Sequence, residues 1–236
     1  MDAFDTRSEY GVPSVAAAER VAAFLRAVYG WMCVGLGVTA VVAFSVAGSP
    51  RIVQALVSNR LLFFALIGGE LALVFYLSAR VARLAPGTAS ALFLGYSALN
   101  GVTLSLILLA YTGASVANTF AVCALMFAAL ALYGTTTSRS LAGVGQFMFM
   151  GLIGLIAASI IGIFWNNSAL QFLIACVGVI VFTGLTAWDA QRLKQMAVEL
   201  PEGQAQSYAI IGALSLYLNF INLFLMLLRL FGSQRD

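Results

Sequence analysis

Histidine is absent from this 236-residue chain. That excludes His-containing zinc sites and any Ser-His or Cys-His catalytic pair, and with them the commonest hydrolase mechanisms. Charge is almost as scarce: 9% of residues are Asp, Glu, Lys or Arg, against roughly 25% in ordinary soluble domains. The net charge of +3 is small and scattered, and no polybasic cluster appears, so no nucleic-acid partner is expected. Cysteine occurs three times, as Cys33, Cys123 and Cys176, each inside an apolar run where it reads as a small buried hydrophobe and indicates no redox compartment. A secretory signal is also missing. Met1 to Arg20 mixes Asp2, Asp5, Arg7, Glu9 and Glu19 with small residues, and the first apolar segment far exceeds a signal core of about 7 to 15 residues. No repeat with a period of about 20 to 50 residues is present.

What remains is hydrophobic. Apolar residues make up 62% of the chain and the mean hydropathy is +0.99, which identifies an integral membrane protein whose first partner is membrane lipid. Seven stretches approach the roughly 20 apolar residues that a spanning helix needs. They lie near Ala23 to Gly48, Leu61 to Ala79, Thr88 to Tyr111, Val116 to Tyr133, Leu141 to Phe164, Leu170 to Trp188 and Tyr208 to Leu230. The expected class is therefore an all-α membrane protein with seven transmembrane helices. Its organisation is a polar N-terminal tail over residues 1–22 and one membrane domain over residues 23–232. Connections such as Thr112 to Ser115 and Trp165 to Ser168 are so short that neighbouring helices must run antiparallel. Tyr29, Trp31, Tyr111, Tyr133, Trp165 and Trp188 cluster near the proposed ends, as interfacial aromatics do.

The last stretch, AIIGALSLYLNFINLFLMLLRLFG, is not uniformly apolar. Ser215, Asn219 and Asn222 recur at i, i+4 and i+7, and Tyr208 and Arg229 continue the stripe. An unpaired amide in hydrocarbon costs several kcal/mol, so this face is expected to turn inward and the C-terminal helix to sit centrally. Gly35 and Gly37 in the first span, and the spacing of Gly154, Ala158 and Gly162 in the fifth, suit close helix packing.

Lys and Arg near the helix ends set the expected orientation. One side collects Arg7, Arg20, Arg26, Arg80, Arg83, Arg139, Arg192 and Lys194, and the other Arg51, Arg60, Arg229 and Arg235. This bias places the N-terminus in the cytoplasm and the C-terminus outside.

Two acids stand out. Glu70 lies near the middle of the second span, and Asp189 ends the sixth. A charge at the bilayer centre costs about 2.5 to 3.5 kcal/mol on insertion scales, so such a group lines a polar pathway, pairs, or stays protonated. For Glu70 the alternatives are an ion pathway and a structural acid held by Tyr96 or Asn100 of the next span. For Asp189 the plain alternative is a solvated helix-end acid paired with Arg192 at i+3.

The segments GLTAWDAQRLKQM and ALSLYLNFINLFLMLLRLFG, with VYGWMCVGLGVTA and LSARVARLAPGTASALFLGYSALNGVTLS, resemble the bacterial branch of the Bax inhibitor-1 (TMBIM) family over about Arg26 to Gly232. The resemblance implies a seven-helix bundle with the last helix surrounded by the other six. It also implies a pH-sensitive calcium leak controlled by two aspartates, one ending the sixth span and one within the seventh. Asp189 occupies the first position. The usual motif LYLDFINLF reads LYLNFINLF here, so Asn219 stands where the second aspartate would be. Two close carboxylates share a proton and titrate as a unit, whereas Asn219 cannot titrate. The family's arginine near the end of the second helix, held to contact this pair, has Arg80 as its nearest counterpart, with Arg83 beside it.

The expected function is thus a cation leak channel, with calcium ion the implied cargo, Glu70 on the ion pathway, and Asp189, Asn219 and Arg80 at the gating and pH-sensing site. Calcium favours six to eight oxygen ligands, and so few acids predict transient rather than tight coordination. The alternative is a regulatory interaction protein that binds a membrane protease or other membrane proteins of quality control. No cofactor, no resident metal and no enzymatic activity are expected: an intramembrane aspartyl protease would need a second acid where Asn219 stands. The expected location is a bacterial inner membrane.

Overall fold

The computed structural model describes residues 15–80, 84–165, 167–201 and 203–235. Residues 1–14 of the expected tail, Arg7 among them, and Arg83 lie outside the described residues. Eight helices follow in order: α1 (Val15–Ala47), α2 (Pro50–Ser58), α3 (Arg60–Arg80), α4 (Pro86–Ala110), α5 (Gly113–Thr136), α6 (Ala142–Phe164), α7 (Ser168–Glu199) and α8 (Ala205–Phe231). All but α2 are long and apolar enough to cross a membrane, which gives the seven spans expected from the sequence.

Local chemistry explains how so little connecting chain suffices. The Thr112 hydroxyl accepts from the Ser115 backbone N–H at the start of α5, and the Asn167 side chain accepts from Ala169 and Leu170 N–H at the start of α7. These bonds satisfy donors that a helix N-terminus leaves open. Pro86 opens α4 and Pro50 opens α2, where a missing N–H costs nothing. The nine-residue α2 was not foreseen: Pro50 starts it, and Leu56 is its buried anchor.

Two boundaries differ from the sequence reading. α1 begins at Val15, well before Ala23, and α7 runs to Glu199 rather than stopping at Trp188. The polar run after Trp188 signals an exit from hydrocarbon, but it does not end the helix, because Leu193 and Ala197 remain buried on one face.

The last helix is the core. Within its apolar window 67% of residues are buried, against 6% for α3 and 11% for α6. It packs on α1, α4, α5 and α7, while α3 leans on α4 and α6 on α7. Four helices therefore make the main contacts with α8, while α3 and α6 pack chiefly on α4 and α7. Tyr217, fully buried on α8, fastens the centre: its hydroxyl lies 2.7 Å from Thr39 Oγ1 of α1, and its ring meets Phe93 and Tyr96 of α4 edge to face.

Close packing uses glycines other than several of those singled out by spacing. Gly35 does lie against the Phe93 ring, but Gly37 and Gly154 face open space; of the fifth-span run, Gly162 meets Gln171 and Ile174 of α7 and Ala158 packs against the core. Only Gly154 of that row is exposed, on the outward side of α6, while Ala158 is half-buried and Gly162 buried. At Gly134 of α5, by contrast, a Cβ would overlap the Ala187 carbonyl of α7. Gly134→Ala is therefore expected to lower the unfolding free energy of the detergent-solubilised protein by about 1 to 3 kcal/mol, with Gly154→Ala close to neutral. Equal thermal unfolding midpoints for the two variants would contradict this packing.

Candidate functional site

Ser215, Asn219 and Arg229 of the polar stripe lie in the seam between α8 and α7, while Asn222 Nδ2 donates to the Leu218 carbonyl of its own helix. The two helices run antiparallel, so rising numbers on α8 meet falling numbers on α7: Ser215 and Asn219 meet Asp189, Met226 lies over Gly178, and Arg229 reaches Gln171. Asp189 and Asn219 are both 7% exposed, so neither relies on bulk water for its hydrogen bonds.

The geometry around Asp189 is compact. Asn219 Nδ2 donates to Asp189 Oδ2 at 2.8 Å, and Ser215 Oγ donates to the same oxygen at 2.6 Å. Both donors are neutral and sit one turn apart on α8. Hydrogen bonds to an ionised acceptor are worth about 1.5 to 3 kcal/mol each, so the pair can hold a carboxylate at the seam without a cation. Asp189 is thus neither solvated nor at a helix end, as the plainer sequence reading had it, because α7 continues for more than two turns beyond it. Arg192, its i+3 neighbour, interacts with it electrostatically but is exposed, with its guanidinium 5.5 Å over the Trp188 ring.

Arg80 is exposed at the last turn of α3 and supplies none of the hydrogen bonds to Asp189. Glu70 also stands apart. It is half-buried on α3 and accepts a hydrogen bond from Thr103 Oγ1 of α4. Tyr96 and Asn100, the partners that the sequence offers for it, meet each other instead, Asn100 Nδ2 donating to the Tyr96 hydroxyl at 3.4 Å. Tyr96, Asn100 and Thr103 recur at i, i+4 and i+7, so α4 presents a polar face of its own, on which Asn100 Oδ1 is buried without a hydrogen-bond partner. Among the described residues no three Cys, Asp or Glu side chains converge.

Two contributors were missed as partners of the site. Ser215 was visible in the stripe yet not assigned to Asp189, although its i−4 spacing from Asn219 aims both side chains at one level of α7. Gln191, two residues beyond Asp189, is buried and clamps the α5–α6 connection: its Oε1 accepts from Leu141 N–H at 2.7 Å and its Nε2 donates to the Arg139 carbonyl at 2.8 Å. Lys194 Nζ adds a 2.7 Å bond to the Thr135 carbonyl. The Asp189 segment is therefore held rigidly on one side, and α8 meets it from the other.

Removing one donor tests this account. Ser215→Ala leaves Asp189 with Asn219 alone and is expected to destabilise the protein by about 1.5 to 3 kcal/mol, measured by unfolding in detergent at neutral pH. In Asp189→Asn the Ser215→Ala cost should shrink, because a hydrogen bond to a neutral acceptor is weaker; an unchanged cost would show that the serine does not act through Asp189.

A profile described as inhibitor of apoptosis-promoting Bax1 matches residues 21–236. The inner membrane protein YbhL of Escherichia coli K12 is 48% identical over 215 residues, covering 90% of this chain and 92% of that protein. A Borreliella burgdorferi protein is 41% identical over 215 residues, with 90% and 93% coverage. A Deinococcus radiodurans protein is 41% identical over 219 residues, with 92% and 93% coverage.

Proposed function

The chain belongs to the Bax inhibitor-1 family and is an integral membrane protein, and from that premise we propose that it is a cation leak channel of an inner membrane, with calcium as cargo and the α7–α8 seam as its regulated joint. The observation that carries the reading is the buried carboxyl of Asp189, held on one oxygen by two neutral donors of the central helix. A buried acid whose partners lie on the neighbouring helix makes the joint between them sensitive to its charge. Among the described residues no set of converging acids is present to trap a divalent ion, which fits passage rather than storage.

In this reading Asn219 sets how the joint responds to pH. Its amide donates to ionised Asp189 and cannot titrate, so the seam stays bridged at neutral pH. An aspartate at this position would put two carboxyls on the same contact, where they titrate as a coupled pair and repel when both are ionised. Glu70, with the polar face of α4 behind it, lies on the ion path.

The test is calcium flux into proteoliposomes across about pH 5 to 8. Asn219→Asp should show a steeper pH dependence near neutrality than the native chain, Asp189→Asn should flatten whatever dependence remains, and Glu70→Gln should lower flux at neutral pH. Absence of flux from folded protein at every pH would overturn the channel reading in favour of a regulatory protein that acts through other membrane proteins. Indistinguishable profiles for native protein and Asn219→Asp would remove the seam as the sensor.

The proposed orientation has the N-terminus in the cytoplasm and the C-terminus outside, following the Lys and Arg bias. The segment after α8 supports grouping the C-terminus with the α4–α5 connection, since Thr112 N–H donates to the Ser233 carbonyl and Arg235 N–H to the Ala110 carbonyl. A reporter active only outside the cytoplasm, fused after Asp236, should be active; activity of a cytoplasm-only reporter at that site would reverse the orientation.

A further inference from the structure

At the same end of the bundle, α1 and α5 both pack on α8 without closing over it, and a slot of about 650 Å³ opens between them. Ala40 and Phe44 of α1 form one wall, Ala117 and Phe120 of α5 the other, and Leu108 of α4 with Phe224 of α8 the floor. On α1 the slot runs from Leu36 to Ala47, which at 1.5 Å per residue is roughly 17 Å. One leaflet of a bilayer's hydrocarbon core is about 15 Å deep. Phe44 and Phe120 are exposed at its edges, so the slot opens sideways, where a membrane presents acyl chains rather than water. Its volume falls within the roughly 300 to 1,000 Å³ of ordinary apolar ligand pockets.

One charged residue, Arg235, lines this largely apolar space, whose other polar side chain, Thr39, is taken up by Tyr217. Arg235 stands where the slot reaches the helix ends, its backbone fixed by the bond from its N–H to the Ala110 carbonyl, and among the described residues its guanidinium makes no ion pair. A guanidinium at interfacial depth offers a forked set of donors that matches a phosphate diester.

We propose that the slot between α1 and α5 binds one anionic glycerophospholipid, an acyl chain lying along α8 and the headgroup phosphate on Arg235. Depth, apolar lining and charge agree on that occupant. A transmembrane segment of another protein would match the apolar lining but not the single cation at the interfacial end. An empty slot would leave its lining without contacts on one side.

Native mass spectrometry of the full chain in mild detergent tests the assignment, with phosphatidylglycerol and phosphatidylcholine of the same acyl chains as probes. The native chain should retain one phosphatidylglycerol in preference to phosphatidylcholine. Arg235→Gln should reduce that preference by roughly tenfold, the effect of losing one charge-assisted contact. Ala40→Phe with Ala117→Phe, two exposed wall positions, should fill the slot and remove the retained lipid while the thermal transition persists. The proposal is overturned if the native chain shows no preference between the two lipids, if the filled slot retains as much phosphatidylglycerol as the native one, or if a second protein chain occupies the slot. Should the double variant fail to fold, the Arg235→Gln comparison alone decides.

Discussion

A carboxyl buried between helices must find its hydrogen-bond donors within the protein, and here it finds them on one helix. Asp189 draws both Ser215 and Asn219 of α8 onto a single oxygen, which sets the depth and rotation at which α7 and α8 meet. With that seam fixed, the same α8 turn points Tyr217 at Thr39 of α1 and at the Phe93 and Tyr96 rings of α4. The centre of the bundle is organised by hydrogen bonds and aromatic edges, because apolar burial does not distinguish a neighbouring helix from lipid tails.

This division of labour explains the outer helices. α3 and α6 carry mostly apolar side chains with little internal burial, and their contacts are with one main neighbour each. α5 and α6 are tied to α7 by backbone approach, at Gly134 against Ala187 and at Gly145 against the Trp188 ring. Just beyond, Gln191 and Lys194 hold the connection between those two helices. One short stretch of α7 thus serves the donors of α8, the glycines of two helices and a loop. A substitution there reaches the bundle from several directions at once.

Much of this was legible from the order of residues. Seven apolar runs announced the spans, and the recurrence of Ser215, Asn219 and Asn222 announced a face unsuited to lipid. The depth of Asp189 was not legible, because polar residues after Trp188 look the same whether a helix ends or continues with Leu193 and Ala197 turned inward. Nor was the partner of Glu70: Tyr96, Asn100 and Thr103 share one face of α4, and only the level at which α3 meets α4 selects Thr103. Spacing reports which side of a helix a residue occupies. Vertical register between helices depends on packing across the whole interface, and that is why Gly154 advertised a contact it does not make.

The donors that hold Asp189 come from a helix that follows it in the chain. A polypeptide emerges N-terminus first, so α7 leaves the ribosome, acid included, before Ser215 and Asn219 have been made. Until α8 arrives, Asp189 has neither donor, and the place at the middle of the bundle that α8 takes is vacant. Assembly of this protein therefore passes through a stage in which an acid seeks a neutral or watered state at the membrane surface, and the last span both fills the centre and quenches that polar site.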